Sequence, residues 1–440
     1  MTGFLLSNQK LNNIRKLLNY LLIIFLPTQV GKHFWPDFSS IKGARVDYLS
    51  PTLYFTDMLI LLVLVLWIFS KNKFSIFNFP YFAKASRGKQ FSIKSKFSIV
   101  ILTFSLIIGI FISKSPFAGV YGLVKLMEFG FLGIYTAKNI NKLKFQNILL
   151  MFSVGIIFES VLAIIQYFNH GSIQGIFYFF GERFFNSQTP GIANASLGGE
   201  LVLRPYGTFS HPNVLAGYLL IGMTLIVGGI KNHESRIKGA ILILTLIIGT
   251  IALFLTLSRI AIALWLLILI FCFIRKFMIH NSLFIILFLV GILTLGLATP
   301  LGLRFTDIKL TDESIVQRES LIQSSIVMIK DNPLFGVGLN NFLINLPAYQ
   351  KPSAPLSYLQ PVHNIFLLVM SETGIIGFSF FVWFLIKTYR RINSYFIIYP
   401  LSLIIILGLF DHYFLTLQQG QLLFSFVLGL CWSKSPKRNY

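Results

Sequence analysis

The chain has 440 residues, of which 55% are hydrophobic and only 12% are charged, and its mean hydropathy is +0.75. A soluble globular domain carries roughly 25% charged residues. This composition therefore excludes an ordinary soluble protein and is typical of a polytopic helical membrane protein.

Apolar runs recur along the whole chain, and about 20 residues suffice to cross a bilayer. We predict an all-α membrane protein of about twelve transmembrane helices. The predicted spans lie near residues 17–30, 53–70, 97–113, 118–137, 147–168, 212–230, 240–256, 258–274, 282–300, 361–386, 394–411 and 415–432. The first run lacks a small-residue cleavage site, so we interpret it as a retained span and not as a signal peptide.

The net charge of +22 reflects topology. With both termini on the cytoplasmic side, most of the 37 basic residues fall in predicted cytoplasmic segments, where Glu234 is the one acidic residue. This is the positive-inside asymmetry of membrane proteins, and it favours anionic membrane lipid over nucleic acid as the basic residues' partner. The two cysteines, Cys272 and Cys431, lie in apolar runs near the cytoplasmic side and are predicted to be packing residues.

Three polar segments interrupt the spans. Residues 71–96 form a basic cytoplasmic loop that suits lipid headgroups, and residues 169–211 form a first outer loop. Residues 301–360 form a longer extracytoplasmic loop between spans 9 and 10, within a single integral membrane domain that we assign to residues 1–440.

The longer loop contains "DESIVQRESLIQSSIVMIKDNP", which predicts an amphipathic helix that begins at Asp312 or Ser314 and is stopped by the "DNP" turn. The predicted apolar face consists of Ile315, Leu321, Ile322, Ile326 and Ile329. Such a helix is expected to lie on the outer membrane face or to cover a cavity that opens there.

Acidic residues within predicted spans are expensive and therefore informative. Lys125 and Glu128 are three residues apart on one predicted helix, which favours a structural ion pair. Glu159 has no partner nearby in the sequence, and the pattern leaves open either an interhelical hydrogen bond or a functional role.

Three arginines lie on the predicted outer side. Arg204, in "LRPYGTFSHPN", precedes a helix start, where it suits either a phosphate contact or a place at the membrane interface. Arg259, in "LTLSRIAIAL", lies between two apolar runs and needs an anionic partner. Arg318 is a third candidate for anion binding, with surface salt bridges to Asp312 or Glu319 as the alternative.

His363 follows the longer outer loop at the start of a span, where a histidine is able to accept a proton near neutral pH. Glu372 follows nine residues later, which on a regular helix is a rotation of about 180°. The two side chains are therefore predicted to lie on opposite faces, with His363 as the functional candidate and Glu372 as a buried structural partner.

Four stretches together resemble the O-antigen ligase family of bacterial envelope proteins, which includes O-antigen polymerases and protein O-glycan ligases. They are "RPYGTFSHPNVLAGYL", "LTLSRIAIAL", "VQRESLIQSSIVMIKDNPLFGVGLNNF" and "PVHNIFLLVMSETGIIGF".

The resemblance implies transfer of a glycan from a polyprenyl pyrophosphate, such as undecaprenyl pyrophosphate, to a glycolipid or other glycan acceptor during lipopolysaccharide biosynthesis. It implies an enzyme of the bacterial inner membrane that needs neither cofactor nor metal. By this resemblance Arg204, Arg259 and Arg318 bind the donor pyrophosphate, and His363 is the general base.

Two alternatives remain open. A polysaccharide polymerase uses the same donor and joins repeat units to one another. A lipid-linked glycan flippase predicts a charged path across the membrane and repeat symmetry, which the outer position of the three arginines and His363 disfavours.

Overall fold

The computed structural model describes residues 8–69, 93–140, 143–197, 200–229, 236–277, 313–351, 355, 358–392 and 395–433. The chain divides into two compact units. The first comprises Met1–Leu22, Lys32–Tyr135 and Gln317–Arg391, and the second comprises Ile23–Gly31, Thr136–Val316 and Ile392–Tyr440.

The described residues are mostly helical. In chain order the helices are α1 (Asn8–Ile24), α2 (Phe55–Phe69), α3 (Ile93–Ile112), α4 (Pro116–Asn139), α5 (Phe145–Asn169), α6 (Pro212–Gly229), α7 (Arg236–Leu255), α8 (Arg259–Phe277), α9 (Glu313–Asp331), α10 (Phe342–Asn345), α11 (Ile365–Tyr389), α12 (Tyr395–Gly408), α13 (Tyr413–Thr416) and α14 (Gln418–Trp432).

Five of these helices are long and apolar enough to cross a membrane, within the part of the chain that is described. They are Pro116–Asn139, Phe145–Asn169, Pro212–Gly229, Ile237–Leu255 and Ile365–Tyr389. Four shorter apolar helices, Phe55–Ile68, Ile101–Ile112, Arg259–Cys272 and Ile397–Gly408, also coincide with predicted spans. The prediction of a polytopic helical membrane protein is confirmed at this level.

Some sequence predictions differ from the structure or fall outside it. The first helix ends at Ile24, earlier than the predicted span over 17–30, because Pro27 follows and cannot continue a helix. The predicted span 282–300, nearly all of the 71–96 loop and residues 301–312 lie outside the described residues.

Short strands in the polar segments correct the all-α expectation. Strands β1 (Gly31–His33) and β4 (Thr52–Tyr54) pair with each other, β2 (Ser40–Ile41) pairs with β3 (Ala44–Arg45), and β5 (Asn194–Leu197) pairs with β6 (Glu200–Leu203). These strands are two to four residues long, too short to leave a clear alternating pattern in the sequence.

The core of the second unit is α6, which packs on α5, α7, α8, α12 and α14. Nearly every described side chain of α6 is buried. Glycines allow close approach: Gly222 of α6 lies against Ile156 of α5, and Gly229 lies against Leu149. An apolar helix enclosed on all sides is the expected centre of a helical membrane bundle.

In the first unit, α11 is broken in its middle at Gly374, which has φ 62° and ψ −169°. The carbonyl groups of Ser371 and Glu372 accept hydrogen bonds from the backbone N–H groups of Val337 (2.8 Å) and Gly338 (3.0 Å). The backbone between α9 and α10 therefore supplies hydrogen-bond donors to the carbonyl groups at the break, as backbone at membrane depth requires.

The same inserted segment is tied to the turn between α3 and α4. The buried amide of Asn341 accepts from the backbone N–H of Ser115 (2.9 Å) and donates to the Ser115 carbonyl (3.1 Å). Asn340 donates to the carbonyl of Ala118 at 3.2 Å. The "LFGVGLNNF" stretch, residues 334–342, thus connects the break in α11 to the turn between α3 and α4, and a β-carbon at Gly336 would collide with the backbone of Glu372.

The predicted pair of Lys125 and Glu128 is present, with 3.1 Å between the Lys125 Nζ and the Glu128 carboxylate. The Lys125 Nζ also lies 2.6 Å from the carboxylate of Asp57 at the start of α2. The sequence predicted Glu128 as a partner because it lies one helical turn from Lys125. It did not predict Asp57, which belongs to another helix.

We expect Gly374→Ala to destabilise the protein by about 2 to 4 kcal/mol, because a β-carbon there strains the backbone and collides with the backbone of Leu334. The melting temperature of the purified protein in detergent measures the effect.

Gly130→Ala on α4 is the matched control, since a β-carbon at Gly130 meets no atom within 4 Å. Equal melting temperatures for the two variants would contradict the role given to the break.

Candidate functional site

Arg204 follows β6 directly and is buried, with only 7% of its surface exposed. Its Nε donates to the carbonyl of Thr256 at 2.7 Å, and its Nη2 donates to the Oδ1 of Asn213 at 2.6 Å. The guanidinium is therefore fixed by two internal acceptors. The alternative of a side chain that reaches freely to the membrane interface does not fit this geometry.

Asn213 extends this arrangement to an acidic residue. It is the second residue of α6, and its Nδ2 donates to the Oδ2 of Asp411 at 3.1 Å. The Asn213 amide thus accepts a hydrogen bond from Arg204 and donates another to Asp411. The sequence did not indicate the link to Asp411, because Asp411 lies 198 residues from Asn213 in the chain.

Arg259 is the first residue of α8 and comes directly after the turn that holds Arg204. That turn contains Thr256, which accepts from Arg204, and Leu257, whose φ of 53° is rare for a residue other than glycine. The structure therefore brings two of the predicted arginines to one turn in the second unit.

The Nε of Arg259 is buried and has no hydrogen-bond partner among the described residues. A buried N–H donor without an acceptor costs free energy, although Arg259 as a whole is only partly buried. Arg204, a second cation, is bound to the same turn.

The segment that carries Arg204 is held by Gln166 of α5. The Oε1 of Gln166 accepts from the N–H groups of Tyr206 (3.0 Å) and Gly207 (2.7 Å). Its Nε2 donates to the Gly207 carbonyl (3.0 Å) and to the buried carboxylate of Glu182 (2.8 Å). Every group of this amide is used, so the segment has one well-defined conformation.

Glu159 of α5 binds Thr208, the next residue of the same segment. Its carboxylate accepts from the Thr208 hydroxyl at 2.7 Å and from the Thr208 N–H at 2.9 Å, and the side chain is fully buried. Of the two readings left open by the sequence, these contacts favour the structural one, in which Glu159 bonds the segment between two spans.

An exposed arginine that the sequence analysis passed over lies beside this segment. The Nη2 of Arg183 donates to the carbonyl of Ser210 at 2.8 Å, and its guanidinium lies 5.5 Å from the centre of the Tyr206 ring. Burial is the main cause that raises the pKa of Tyr206, so its hydroxyl stays neutral. The residues next to Arg183 in the sequence did not indicate these contacts, because Ser210 and Tyr206 are distant from it in the chain.

In the first unit, His363 precedes α11 and is partly buried in a bend. The next residue, Asn364, is the N-cap: its side chain accepts from the N–H groups of Phe366 (2.9 Å) and Leu367 (3.0 Å). Asn364 therefore has a structural task, and it fixes the position of His363 beside the first turn of the helix.

The sequence predicted that one regular helix carries both His363 and Glu372, but α11 begins at Ile365, so His363 lies just outside it. The break at Gly374 follows Glu372. Glu372 lies at this break, where its Oε1 accepts from the backbone N–H of Phe342 at 3.2 Å. This contact supports a structural task for Glu372, as a holder of the inserted segment.

Arg318 lies on α9, the predicted amphipathic helix, and is partly exposed. No ion pair joins it to Glu319, which is also described, and Asp312 lies outside the described residues. Two helical turns after Arg318, the hydroxyl of Ser325 lies 2.9 Å from the hydroxyl of Ser371 on α11. The helix with Arg318 is thereby bound to the helix that follows His363.

The buried face of α9 differs from the predicted apolar face. It consists of Leu321, Ser324, Ser325 and Met328. Ile322 and Ile326, which belong to the predicted apolar face, are each 40% exposed. Their exposure suits the predicted alternative in which the helix lies on the outer membrane face, where it is able to present apolar groups to lipid.

Residues 244–382 match the family model described as O-antigen ligase. The matched region contains Arg259, Arg318 and His363, and it begins after Arg204. No curated protein matches the chain.

We expect Glu159→Leu to lower the stability of the protein by about 2 to 5 kcal/mol, because the buried N–H and hydroxyl of Thr208 lose their acceptor on Glu159. Glu159→Gln, which keeps one acceptor oxygen, is the matched control and is expected to lose less. Thermal unfolding in detergent measures both variants. A Glu159→Leu protein with unchanged stability but impaired activity would contradict the structural role.

Proposed function

Because the chain carries an O-antigen ligase domain over residues 244–382, we propose that it is a membrane glycosyltransferase of the ligase type. It transfers a glycan from a polyprenyl pyrophosphate carrier to an acceptor hydroxyl on the outer face of the bacterial cytoplasmic membrane. Neither metal nor nucleotide takes part in this reaction, and the acceptor is a glycolipid or another glycan.

The topology that goes with this function has twelve spans, both termini in the cytoplasm and residues 301–360 outside. This is the arrangement that the positive-inside asymmetry favours. In it, residues 1–440 form one integral membrane domain, and Arg204, Arg259, Arg318 and His363 all lie on the outer side.

The observation that carries the proposal is the unpaired N–H donor of Arg259 in the described part of the chain. Its buried Nε lacks a hydrogen-bond partner among the described residues, on a turn to which Arg204 is also bound. A pyrophosphate offers several anionic oxygens to such groups, and arginine matches phosphate geometry with paired N–H donors. We assign donor binding to Arg204 and Arg259 on this ground, and to Arg318 by the family resemblance.

The reaction divides into a proton transfer and a displacement. His363 accepts the proton of the acceptor hydroxyl, whose oxygen then forms a bond to the anomeric carbon of the donor glycan. The bond between that carbon and the pyrophosphate oxygen breaks, and the electron pair leaves with the polyprenyl pyrophosphate. Fixed arginines stabilise the negative charge that develops on the leaving group.

Arg204 suits this role because its position is fixed in advance. Its contacts to Thr256 and Asn213 hold the guanidinium before any ligand binds, and groups that need no reorganisation give the largest electrostatic benefit in catalysis. Asn213, which accepts from Arg204, is itself held by its hydrogen bond to Asp411.

We expect His363→Ala to lower transfer by about 10²- to 10⁴-fold, the usual contribution of a general base. Arg259→Ala is expected to lower transfer by about 10²- to 10³-fold, which is typical for one group that stabilises developing charge. Arg259→Lys should retain intermediate activity, because it keeps the charge but loses the paired donors. The measurement is transfer in proteoliposomes from a polyprenyl pyrophosphate glycan to purified acceptors.

Arg45→Ala is the matched control, since Arg45 is an exposed arginine on β3, and it should transfer at the unaltered rate. Full activity of both His363→Ala and Arg259→Ala would contradict the assigned roles. A product of repeat units joined to one another would assign the polymerase reaction instead. Movement of the donor across the bilayer without bond formation would assign a transporter.

A further inference from the structure

The first outer loop contains a compact group of exposed apolar side chains. Residues 175–180, "GIFYFF", form a 3₁₀ helix, which we call the aromatic helix. Ile176 is 67% exposed, Tyr178 is 63% exposed and Phe179 is 76% exposed. Such a cluster of large apolar side chains in one short segment marks an interaction surface.

The other two aromatic side chains of this helix pack on α5. The ring centre of Phe158 lies 6.2 Å from that of Phe177 and 5.3 Å from that of Phe180. The aromatic helix therefore lies against α5, with Ile176, Tyr178 and Phe179 directed away from it.

Phe158 belongs to the outward stripe of α5. Val154, Val161 and Ile165 are exposed to 47%, 41% and 41%, and together with Phe158 they follow the spacing of one helix face. Because α5 is a candidate membrane span, an apolar exposed stripe on it faces lipid. The aromatic helix thus lies on the lipid side of the span.

The packing of α6 on α5 shows how far the contact between the aromatic helix and Phe158 lies from the outer end of α6. Gly222 lies against Ile156, and Gly229 lies against Leu149, so the two helices run antiparallel. Pro212, where α6 begins, is then level with a position eight residues beyond Phe158, which is roughly 12 Å along the axis. The aromatic helix consequently contacts α5 well below the outer end of α6.

The backbone around the aromatic helix has the hydrogen bonds that such a depth demands. The carboxylate of the buried Glu182 accepts from the N–H groups of Ile173 (2.8 Å) and Gln174 (2.6 Å). The Thr28 hydroxyl donates to the carbonyl of Phe180 at 2.6 Å. Irregular backbone is tolerated at membrane depth only when its polar groups are satisfied by protein in this way.

We propose that the aromatic helix is a re-entrant element that inserts Ile176, Tyr178 and Phe179 into the acyl-chain region of the outer leaflet. The supposed outer loop is then partly a membrane anchor, and the bilayer is its partner. The aromatic helix is followed by Glu182, whose carboxylate accepts a hydrogen bond from Gln166 of α5. Gln166 also binds the segment that carries Arg204, so the anchor is connected to that segment through Gln166.

Nitroxide accessibility in lipid nanodiscs tests this proposal without any glycan substrate. In a Cys272→Ala, Cys431→Ala background, single cysteines replace Phe179 and Tyr178 and are spin-labelled. Molecular oxygen, which concentrates in hydrocarbon, and a water-soluble nickel chelate serve as the two relaxing agents. The ratio of oxygen to nickel accessibility reports the depth of each label.

Two control positions set the scale. Val161→Cys lies on the lipid-facing stripe of α5, and Gln188→Cys lies on an exposed turn of the same loop. We expect the ratio at Phe179 and Tyr178 to match that at Val161 and to exceed that at Gln188 several-fold. Ile176→Cys replaces either position if its variant is not monodisperse.

Two results would overturn the proposal. A ratio at Phe179 and Tyr178 equal to that at Gln188 would place the aromatic helix in water. Protection from both agents would mean that protein and not lipid covers the surface. Because neither result depends on glycan transfer, the outcome is independent of the proposed enzymatic function.

Discussion

Irregular backbone that passes between membrane helices must have its N–H and C=O groups satisfied by the protein itself, because hydrocarbon offers no hydrogen bonds. Both compact units meet this requirement. In the second unit, Glu159, Gln166 and Glu182 bind the backbone of the segments between α5 and α6. In the first unit, the broken helix α11 and the segment between α9 and α10 satisfy each other.

The positions of the candidate residues depend on these two sets of hydrogen bonds. Arg204 belongs to a segment whose backbone is bound by a glutamine and a glutamate from one span, and its own side chain is held by Thr256 and Asn213. His363 is fixed because Asn364 caps the helix that follows it. Polar residues inside the helices thus hold the segments that carry the candidate residues.

Composition and local pattern were sufficient for the membrane class, for most helices and for contacts one helical turn apart. The α9 helix and the pair of Lys125 and Glu128 belong to this group, since a periodic pattern or a short spacing determines them. A family resemblance added the candidate residues, and the family match supports the family itself. The roles of the individual residues stay predictions.

The remaining features depend on contacts between residues far apart in the chain. Gln166 meets Gly207, and Asn213 meets both Arg204 and Asp411, without any local signal for these pairs. The break at Gly374 was missed because a glycine in an apolar run also occurs in regular helices. The aromatic helix was taken for loop because six residues are too few to show a period.

The break in α11 also has an electrostatic consequence. It leaves residues 365–373 as a short helix with its own dipole, whose negative end is neutralised by the N–H groups of Val337 and Gly338. The positive end lies at Asn364, directly after His363. At that end the side chain of Asn364 accepts from the N–H groups of Phe366 and Leu367. Because the field of a helix comes mainly from its last turn, each end of this short piece is paired by a neighbouring polar group and not by the rest of α11.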